Sequence, residues 1–557
     1  MNLLLLIILT IILLSLAYHF YGNCLSRWLK LRPEVKTPAH EFRNDVDFVP
    51  TKTFYLLNQH LSAIAAAGPI VGPILAGLWF GWLPTFIWII LGGIFIGGVH
   101  DMVSIVASIR QQGKSIAEVI RSTMSQRAFI LFLLFLWFSL IYIIAAFTDV
   151  TASTFVEADH GAAIASSSML YLFAALIAGW FIRRFNPSLT LISVLSLPLI
   201  FACVYLGELF PLTLPAVAGF SQRAVWNISL LIYCFVAAVI PVSYLLQPRG
   251  YLGGFFLIAT AGISLIGLVV GSLTNSFVIQ SPAFIGWTNP QGLPLFPVLF
   301  ITVACGACSG FHCLIASGTT SKQLTKETDA KAVGYGGMLL ESFVAVIALS
   351  TLLILNKQEA AALKDPNQIF ANGVATFLSH LGINKAFAFN FALLAFATFV
   401  YDTLDVATRL GRYIFEELTG WKNKWSPYAA TAVTLVLPLI FLTQTFVDQS
   451  GNVIPGWKMF WTVFGASNQL LAALVLFGLS LWLFKQNLRY RMALVPSIFM
   501  TTVATISLFL IIKPWLADLF RGVFRFDLVA ITCLVLFGLT TCLLIEGTRL
   551  FTRKSVQ

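Results

Sequence analysis

The sequence predicts an all-α, polytopic helical membrane protein of about 15 spans, whose core is an inverted repeat carrying two discontinuous helices. Three observations predict it. Hydrophobic residues make up 58% of the 557 and charged residues 10%, with a mean hydropathy of +0.88, a balance no water-soluble chain of this size approaches. The apolar residues gather in runs of about 20, the length that crosses a bilayer, and the basic residues fall in short loops between them. Two of the runs interrupt themselves at matching positions, one with glycine and proline, the other with glycine and cysteine.

In chain order the runs are 2–21, 54–81, 84–109, 128–151, 161–182, 188–209, 224–246, 251–272, 294–317, 333–356, 385–408, 427–447, 458–484, 492–512 and 526–551. The opening MNLLLLIILTIILLSLAYHF has no basic n-region and no clear small-x-small cleavage site, so it reads as a retained span rather than a signal peptide. Of the 34 Lys and Arg, 26 follow odd-numbered runs and 8 follow even-numbered ones. The positive-inside rule then puts the N-terminus outside and the C-terminus in the cytoplasm. A net charge of +11 distributed this way acts on topology and excludes nucleic acid as a partner. The eight cysteines sit almost wholly inside apolar runs, which predicts reduced thiols and no disulfide framework. The loops at 22–53, 273–293 and 357–384 are too short to bury a core of their own.

The centre of 54–81 reads Gly68-Pro69-Ile70-Val71-Gly72-Pro73. Each proline lacks an amide hydrogen, so the carbonyls of Ala65 and Pro69 lose their helical partners, and the glycines let the backbone depart from helical geometry. Freed carbonyls at membrane depth are tolerable only where protein, water or a ligand covers them. Breaks of this kind line substrate and ion sites in secondary transporters; the alternative is a proline kink packed on a neighbour. In 299–312, Gly306 and Gly310 repeat the spacing of Gly68 and Gly72 at an offset of 238. Gly97-x-x-x-Asp101 recurs as Gly337-x-x-x-Glu341 at an offset of 240, and Thr148-Asp149-Val150 faces Leu404-Asp405-Val406 at 256. The two interrupted runs are seven apart, and an odd number is what an inverted repeat requires. Chance in a glycine-rich membrane chain is the competing account. On the repeat reading the chain divides into an N-terminal span and cytoplasmic loop (1–53), a first repeat (54–209), extra spans (210–293), a second inverted repeat (294–484) and C-terminal spans (485–557).

Ionisable residues inside membrane spans are expensive and point to function. Here they are His60, His100, Asp101, Asp149, Glu341, Asp402 and Asp405, with His312 in the second interrupted run. A carboxylate in a low-dielectric site can take up and release a proton, which makes Asp101 and Glu341 candidates for coupling. Glu341, with no basic neighbour in sequence, is the preferred carrier, and Asp101 reads as a structural partner of His100. Asp149 is placed at the water interface, and Asp405 pairs with Arg409 at a helix end. Asp402, Asp405 and Thr408 share a helical face and, with the carbonyls of Ala65 and Pro69, form a possible oxygen set for Na⁺. The substrate is expected at the breaks, on His60, Gly68, Pro69, Gly72, Pro73, Ser309, Gly310 and His312. Cys305-x-x-Cys308 with His312 and Cys313 offers soft metal ligands but lacks a second CxxC, so neither a metal nor any cofactor beyond the coupling ion is expected, and no enzyme. Trp79, Trp82 and Trp88 read as an aromatic belt. An ATP-driven pump is disfavoured because no GxxxxGK[ST] loop is present.

With these residues in view, the chain resembles the carbon starvation protein A family of bacterial inner-membrane proteins. The resemblance runs over PxxxxxxDxDFVPT at 38–51, HLSAIAAAGPIVGPILAG at 60–77, GVHDMVSIVASIRxxGKSIAEV at 98–119, ACGACSGFH and SGTTSKQ within 304–323, GYGGMLLES at 334–342, TLDVATRLGRYIFEE at 403–417 and FGASNQLLAAL at 464–474. The chain departs from that pattern with Gln59-His60 in place of a His-His pair, Ala66 in place of a glycine, and additional cysteines after Cys305. The resemblance implies uptake of peptides, with some members moving pyruvate in symport with protons, often when carbon runs out. It also implies a fold related to the amino-acid/polyamine/organocation transporters (LeuT/APC-like), with a five-plus-five inverted repeat in which 54–81, 294–317 and 385–408 are the first, sixth and eighth core helices. The expected function is an ion-coupled secondary transporter of short peptides or a small carboxylate such as pyruvate, coupled to H⁺ or Na⁺, with only small-molecule substrate and membrane lipid as partners. An integral-membrane metal or thiol enzyme and a starvation sensor are the alternatives.

Overall fold

The computed structural model describes residues 2–44, 48–65, 67–185, 189–217, 219–241, 244–274, 277–363, 365–421, 423–444, 446–447, 453–454, 456–523 and 527–554; Asp45, Val46 and Asp47 of the N-terminal motif and Ala66 lie outside them. Among the described residues the chain is helical apart from one two-residue antiparallel pair, Phe446–Val447 with Val453–Ile454. The elements that position the site are α1 (Leu3–Leu16), α2 (Thr53–Ile64), α3 (Gly68–Phe80), α4 (Gly98–Arg110), α5 (Gln126–Phe155) and α6 (Gln222–Val239). They are followed by α7 (Leu246–Leu273), α8 (Leu295–Thr302), α9 (His312–Gly318), α10 (Gly336–Leu353), α11 (Lys385–Thr419) and α12 (Gly456–Lys485).

Eleven helices among the described residues are long and apolar enough to cross a membrane, or twelve with the bent pair α2 and α3. The expected fifteen is not reached on that measure. Of the remaining predicted spans, 188–209 and 427–447 are represented by the shorter apolar helices Val194–Leu209 and Ser426–Leu442, and 294–317 is divided into α8 and α9. Glycine and the loss of helical geometry at Val303 account for the division, so neither half spans on its own.

The first break bends the chain by 50° between α2 and α3. Its cause is local. Ala65 adopts φ −83° and ψ 70°, and α3 then starts with Pro69 in its first turn, where the missing N–H would have had no helical partner anyway. The second break opens at Val303 with φ −95° and ψ 67°, nearly the same geometry, 238 residues further on. Protein groups satisfy its freed backbone. Trp88 Nε1 donates to the Val303 carbonyl at 3.0 Å, the Asn468 side-chain carbonyl accepts from Phe311 N–H at 3.0 Å, and Gln469 Nε2 donates to the Phe300 carbonyl at 3.0 Å. Trp88 is therefore buried as a backbone cap, which corrects its assignment to an aromatic belt.

The two breaks cross each other. A Cβ on Gly72 would lie 2.5 Å from the Thr302 carbonyl oxygen, Gly68 lies against the Cys305 side chain, and Gly306 faces Pro69 and Ala345. Asp149 is 2% exposed rather than interfacial. Arg223 grips it through Nε at 2.7 Å and Nη2 at 2.6 Å, and its Oδ2 accepts from Trp457 N–H at 2.7 Å at the start of α12. One carboxylate thus ties α5, α6 and the positive end of α12 together.

Candidate transport site

The crossing of the breaks brings α4, α9 and α10 together. A π-turn at Gly93–Gly97 precedes α4 and another at Lys331–Tyr335 precedes α10. Gly334 lies against Met102, and Gly97 against the Ala307 carbonyl and Met338. Insertions of this kind turn a helix face out of register and are frequent at functional sites. The consequence is a line of four buried ionisable groups, each 0% exposed. His100 Nδ1 lies 2.8 Å from Asp101 Oδ1, His312 Nδ1 lies 2.8 Å from Asp101 Oδ2, and His312 Nε2 lies 3.2 Å from Glu341 Oε2.

This corrects one expectation: Glu341, read as having no basic neighbour, has His312 beside it, and through His312 it joins Asp101 in one cluster. His312 joins them and does not line the cavity beside the first break. A carboxylate accepts only, so each imidazole Nδ1 carries a hydrogen toward Asp101. His312 Nε2 and Glu341 Oε2 are close enough to interact as charges but form no hydrogen bond; a proton on the nitrogen makes them an ion pair and one on the oxygen a neutral pair. Both nitrogens of His312 face carboxylates, so the imidazole is not turned toward Cys305, Cys308 or Cys313.

A cavity of about 470 Å³ lies beside the first break. Its walls include Gln59, His60 and Ser62 of α2, Thr320 and Lys322 beyond α9, and Asp402, Arg409 and Glu417 of α11. His60 Nδ1 lies 2.8 Å from Thr320 Oγ1, and its ring packs on Gly337, one turn before Glu341. His60 thereby stands between the cavity and the four-residue cluster. Of the residues expected to bind substrate, His60 lines this cavity; Gly68, Pro69, Gly72, Pro73, Ser309 and Gly310 do not. Their backbones are packed on protein instead. A Cβ on Gly310 would meet Ala472 N and Asn468 O at 2.5 Å, and Ser309 Oγ faces Asn468 at 3.1 to 3.3 Å.

The face formed by Asp402, Asp405 and Thr408 also differs from expectation. Thr408 Oγ1 donates to the Leu404 carbonyl of its own helix at 2.8 Å. Arg409 makes no ion pair with Asp405. It donates to the carbonyls of Ala237 and Ile240, at the end of α6, where a cation complements the helix dipole. The group facing the two aspartates is Arg249, whose Nε lies 3.1 Å from Asp402 Oδ1 and whose Nη1 pairs with Asp405 Oδ2. Ser62 Oγ donates to the other oxygen of Asp402 at 2.9 Å. Sequence reasoning assigned Arg249 to a loop. The available signals were its place as the lone basic residue between two runs and the Gly253-Gly254 pair that follows it. Asn468 and Gln469, two amides inside an apolar run, were likewise a visible sign of a backbone in need of partners.

These features describe a multi-pass helical membrane protein built as a secondary transporter, with a polar cavity beside one broken helix and a titratable cluster behind it. The sequence model of the family described as "Carbon starvation protein CstA" matches residues 2–370 and 356–507, and the chain belongs to that family. It is 31% identical to the peptide transporter CstA of Helicobacter pylori, over 91% of this chain and 81% of that one. It is also 31% identical to the pyruvate/proton symporter BtsT of Escherichia coli, over 83% of this chain and 74% of that one. Among solved structures, the manganese transporter of Eremococcus coleocola superposes with a TM-score of 0.49 at 13% identity, over 91% of this chain and 99% of that one.

Proposed function

We propose that this chain imports short peptides or a small carboxylate such as pyruvate across the bacterial inner membrane, coupled to protons, by alternating access around the paired broken helices. The observation that carries the reading is the 470 Å³ cavity walled by α2 and α11, with His60 between it and the Asp101–His312–Glu341 line. A proton held on His312 or Glu341 lies near the helix that must move, which is what coupling needs. The relatives' names, a peptide transporter and a pyruvate/proton symporter, support both the substrate class and the ion. No covalent chemistry is ascribed to the site. The matching geometry of Ala65 and Val303 supports an inverted repeat of 54–209 and 294–484, with 1–53, 210–293 and 485–557 outside it.

The test is counterflow in proteoliposomes with a panel of di- and tripeptides and pyruvate, under separate pH and Na⁺ gradients. An imposed inward proton gradient is expected to drive accumulation of chemically unchanged substrate. Accumulation with a Na⁺ gradient alone, or a modified product, would overturn the reading.

The cavity reaches Ser115, Lys322 and Gln323, in segments that the basic-loop bias assigns to the cytoplasm, so it is read as inward-facing. Single cysteines placed at exposed positions in 110–127 and 318–332 are expected to react with impermeant maleimide only from the cytoplasmic side, and ones in 281–292 only from outside. The opposite pattern would reverse the orientation.

A further inference from the structure

Of the two helices of the extra segment, α7 packs against both α2 of the first break and α11, and α6 packs on α11. Gly253 and Gly254 allow this, because a Cβ on Gly253 would lie 3.0 Å from Ser62 Oγ and one on Gly254 would lie 3.1 Å from Ser62 Cβ. Their approach delivers one guanidinium into a pocket of oxygens. Arg249 is 1% exposed and meets Asp402 and Asp405 of α11 directly, and the Tyr233 hydroxyl of α6 accepts from it and donates to Asp405 at 2.8 Å. The rings of Tyr401 and Tyr233 lie 5.0 and 5.7 Å from its centre, so aromatic faces as well as carboxylates surround the charge. From α2, Ser62 donates to the other oxygen of Asp402, which also borders the cavity.

We propose that Arg249 is a tethered cation: it occupies, as part of the chain, the place between α2 and α11 that a dissociable coupling ion would otherwise take. Two carboxylates of α11 and a hydroxyl of α6 around one buried position are oxygen ligands of the kind a hard cation selects. A guanidinium fixed on α7 supplies them with a permanent counter-charge. Two consequences follow. Asp402 keeps a counter-charge when Ser62 moves with α2, and the site needs no Na⁺ in any step of the cycle. Arg249 thus acts as a positioning residue through Asp402, and the extra segment has a role: it carries the ion. The inference rests on the transport reading given above.

The test compares purified wild type with Arg249→Ala, measuring substrate exchange in choline, Na⁺ and guanidinium media and, separately, thermal stability in the same media. Wild-type exchange and stability are expected to be indifferent to the added cation. Arg249→Ala leaves two buried carboxylates unpaired, so exchange is expected to fall about tenfold or more in choline. Added guanidinium or Na⁺ should then restore exchange severalfold and raise the variant's melting temperature, effects that loss of packing alone would not produce. Arg249→Lys should retain most activity without rescue. If Arg249→Ala does not fold, the pair Arg249→Ala with Asp405→Asn, which removes one unpaired charge, is measured in the same way. A folded variant with wild-type exchange in choline, or a loss that neither cation relieves, overturns the proposal, as does a wild type that requires Na⁺. A wild type that moves none of the tested substrates would instead sink the transport reading, while the stability shift would still decide the role of Arg249.

Discussion

Replacing Glu341 by Gln is expected to abolish proton-driven accumulation while leaving substrate exchange in place. The amide matches the carboxylate in shape but cannot take up or release a proton beside His312 Nε2, 3.2 Å away. His312 keeps its contact to Asp101, so the cluster stays assembled. Accumulation under an imposed pH gradient should therefore drop about tenfold or more, to near the equilibrium ratio, with exchange at equal pH changed much less. Accumulation at the wild-type level in Glu341→Gln would remove this residue from the coupling path. Asp101→Asn makes a different demand. Asp101 accepts from two imidazoles at 2.8 Å, and an amide supplies a single acceptor oxygen, so one buried donor loses its partner at a cost of about 1–3 kcal/mol or more. That variant should show reduced folded yield as well as reduced uptake.

The second large effect concerns Gly72. A leucine there would drive its Cβ to 2.5 Å from the Thr302 carbonyl oxygen and 3.3 Å from Val303 Cα, and both obstacles are backbone. Overpacking of a close-packed interior costs about 1–3 kcal/mol, and more where no side chain can rotate away. Gly72→Leu is expected to give little monodisperse protein in detergent, whereas Gly262→Ala on α7, where a Cβ meets nothing within 4 Å, should purify like the wild type. A well-folded, active Gly72→Leu would show that the broken helices do not need to cross at this point. The expectation from sequence was that glycines at the breaks make room for substrate. In the folded chain they make room for each other.

The interruptions themselves were legible in the sequence because their cause is local: proline removes a donor and glycine relaxes the backbone within a few residues. The match between the two breaks was legible for the same reason. The membrane class and the family were also open to reading, the first from hydropathy summed over long runs and the second from extended motifs.

What only the tertiary structure decided is which buried charge meets which. His312 reaches Asp101 across 211 positions, and Arg249 reaches Asp405 across 156, with no periodicity or spacing to announce either pair. Proximity in sequence misled in two cases: it suggested Arg409 for Asp405, and it left Glu341 without a base. The physical reason is that a charge taken out of water must find compensation somewhere, but the requirement does not say where. The partner is chosen by how helices pack, and at this site the packing is set by glycines whose effect depends on what stands opposite them. Gly97 and Gly334 bring α4 and α10 together; Gly253 and Gly254 bring in α7 and its arginine. From the sequence Gly97 and Gly334 are parts of motifs and Gly253 and Gly254 a pair in an apolar run, and only the fold shows that they let Asp101, His312 and Glu341 meet, and Arg249 reach Asp402 and Asp405.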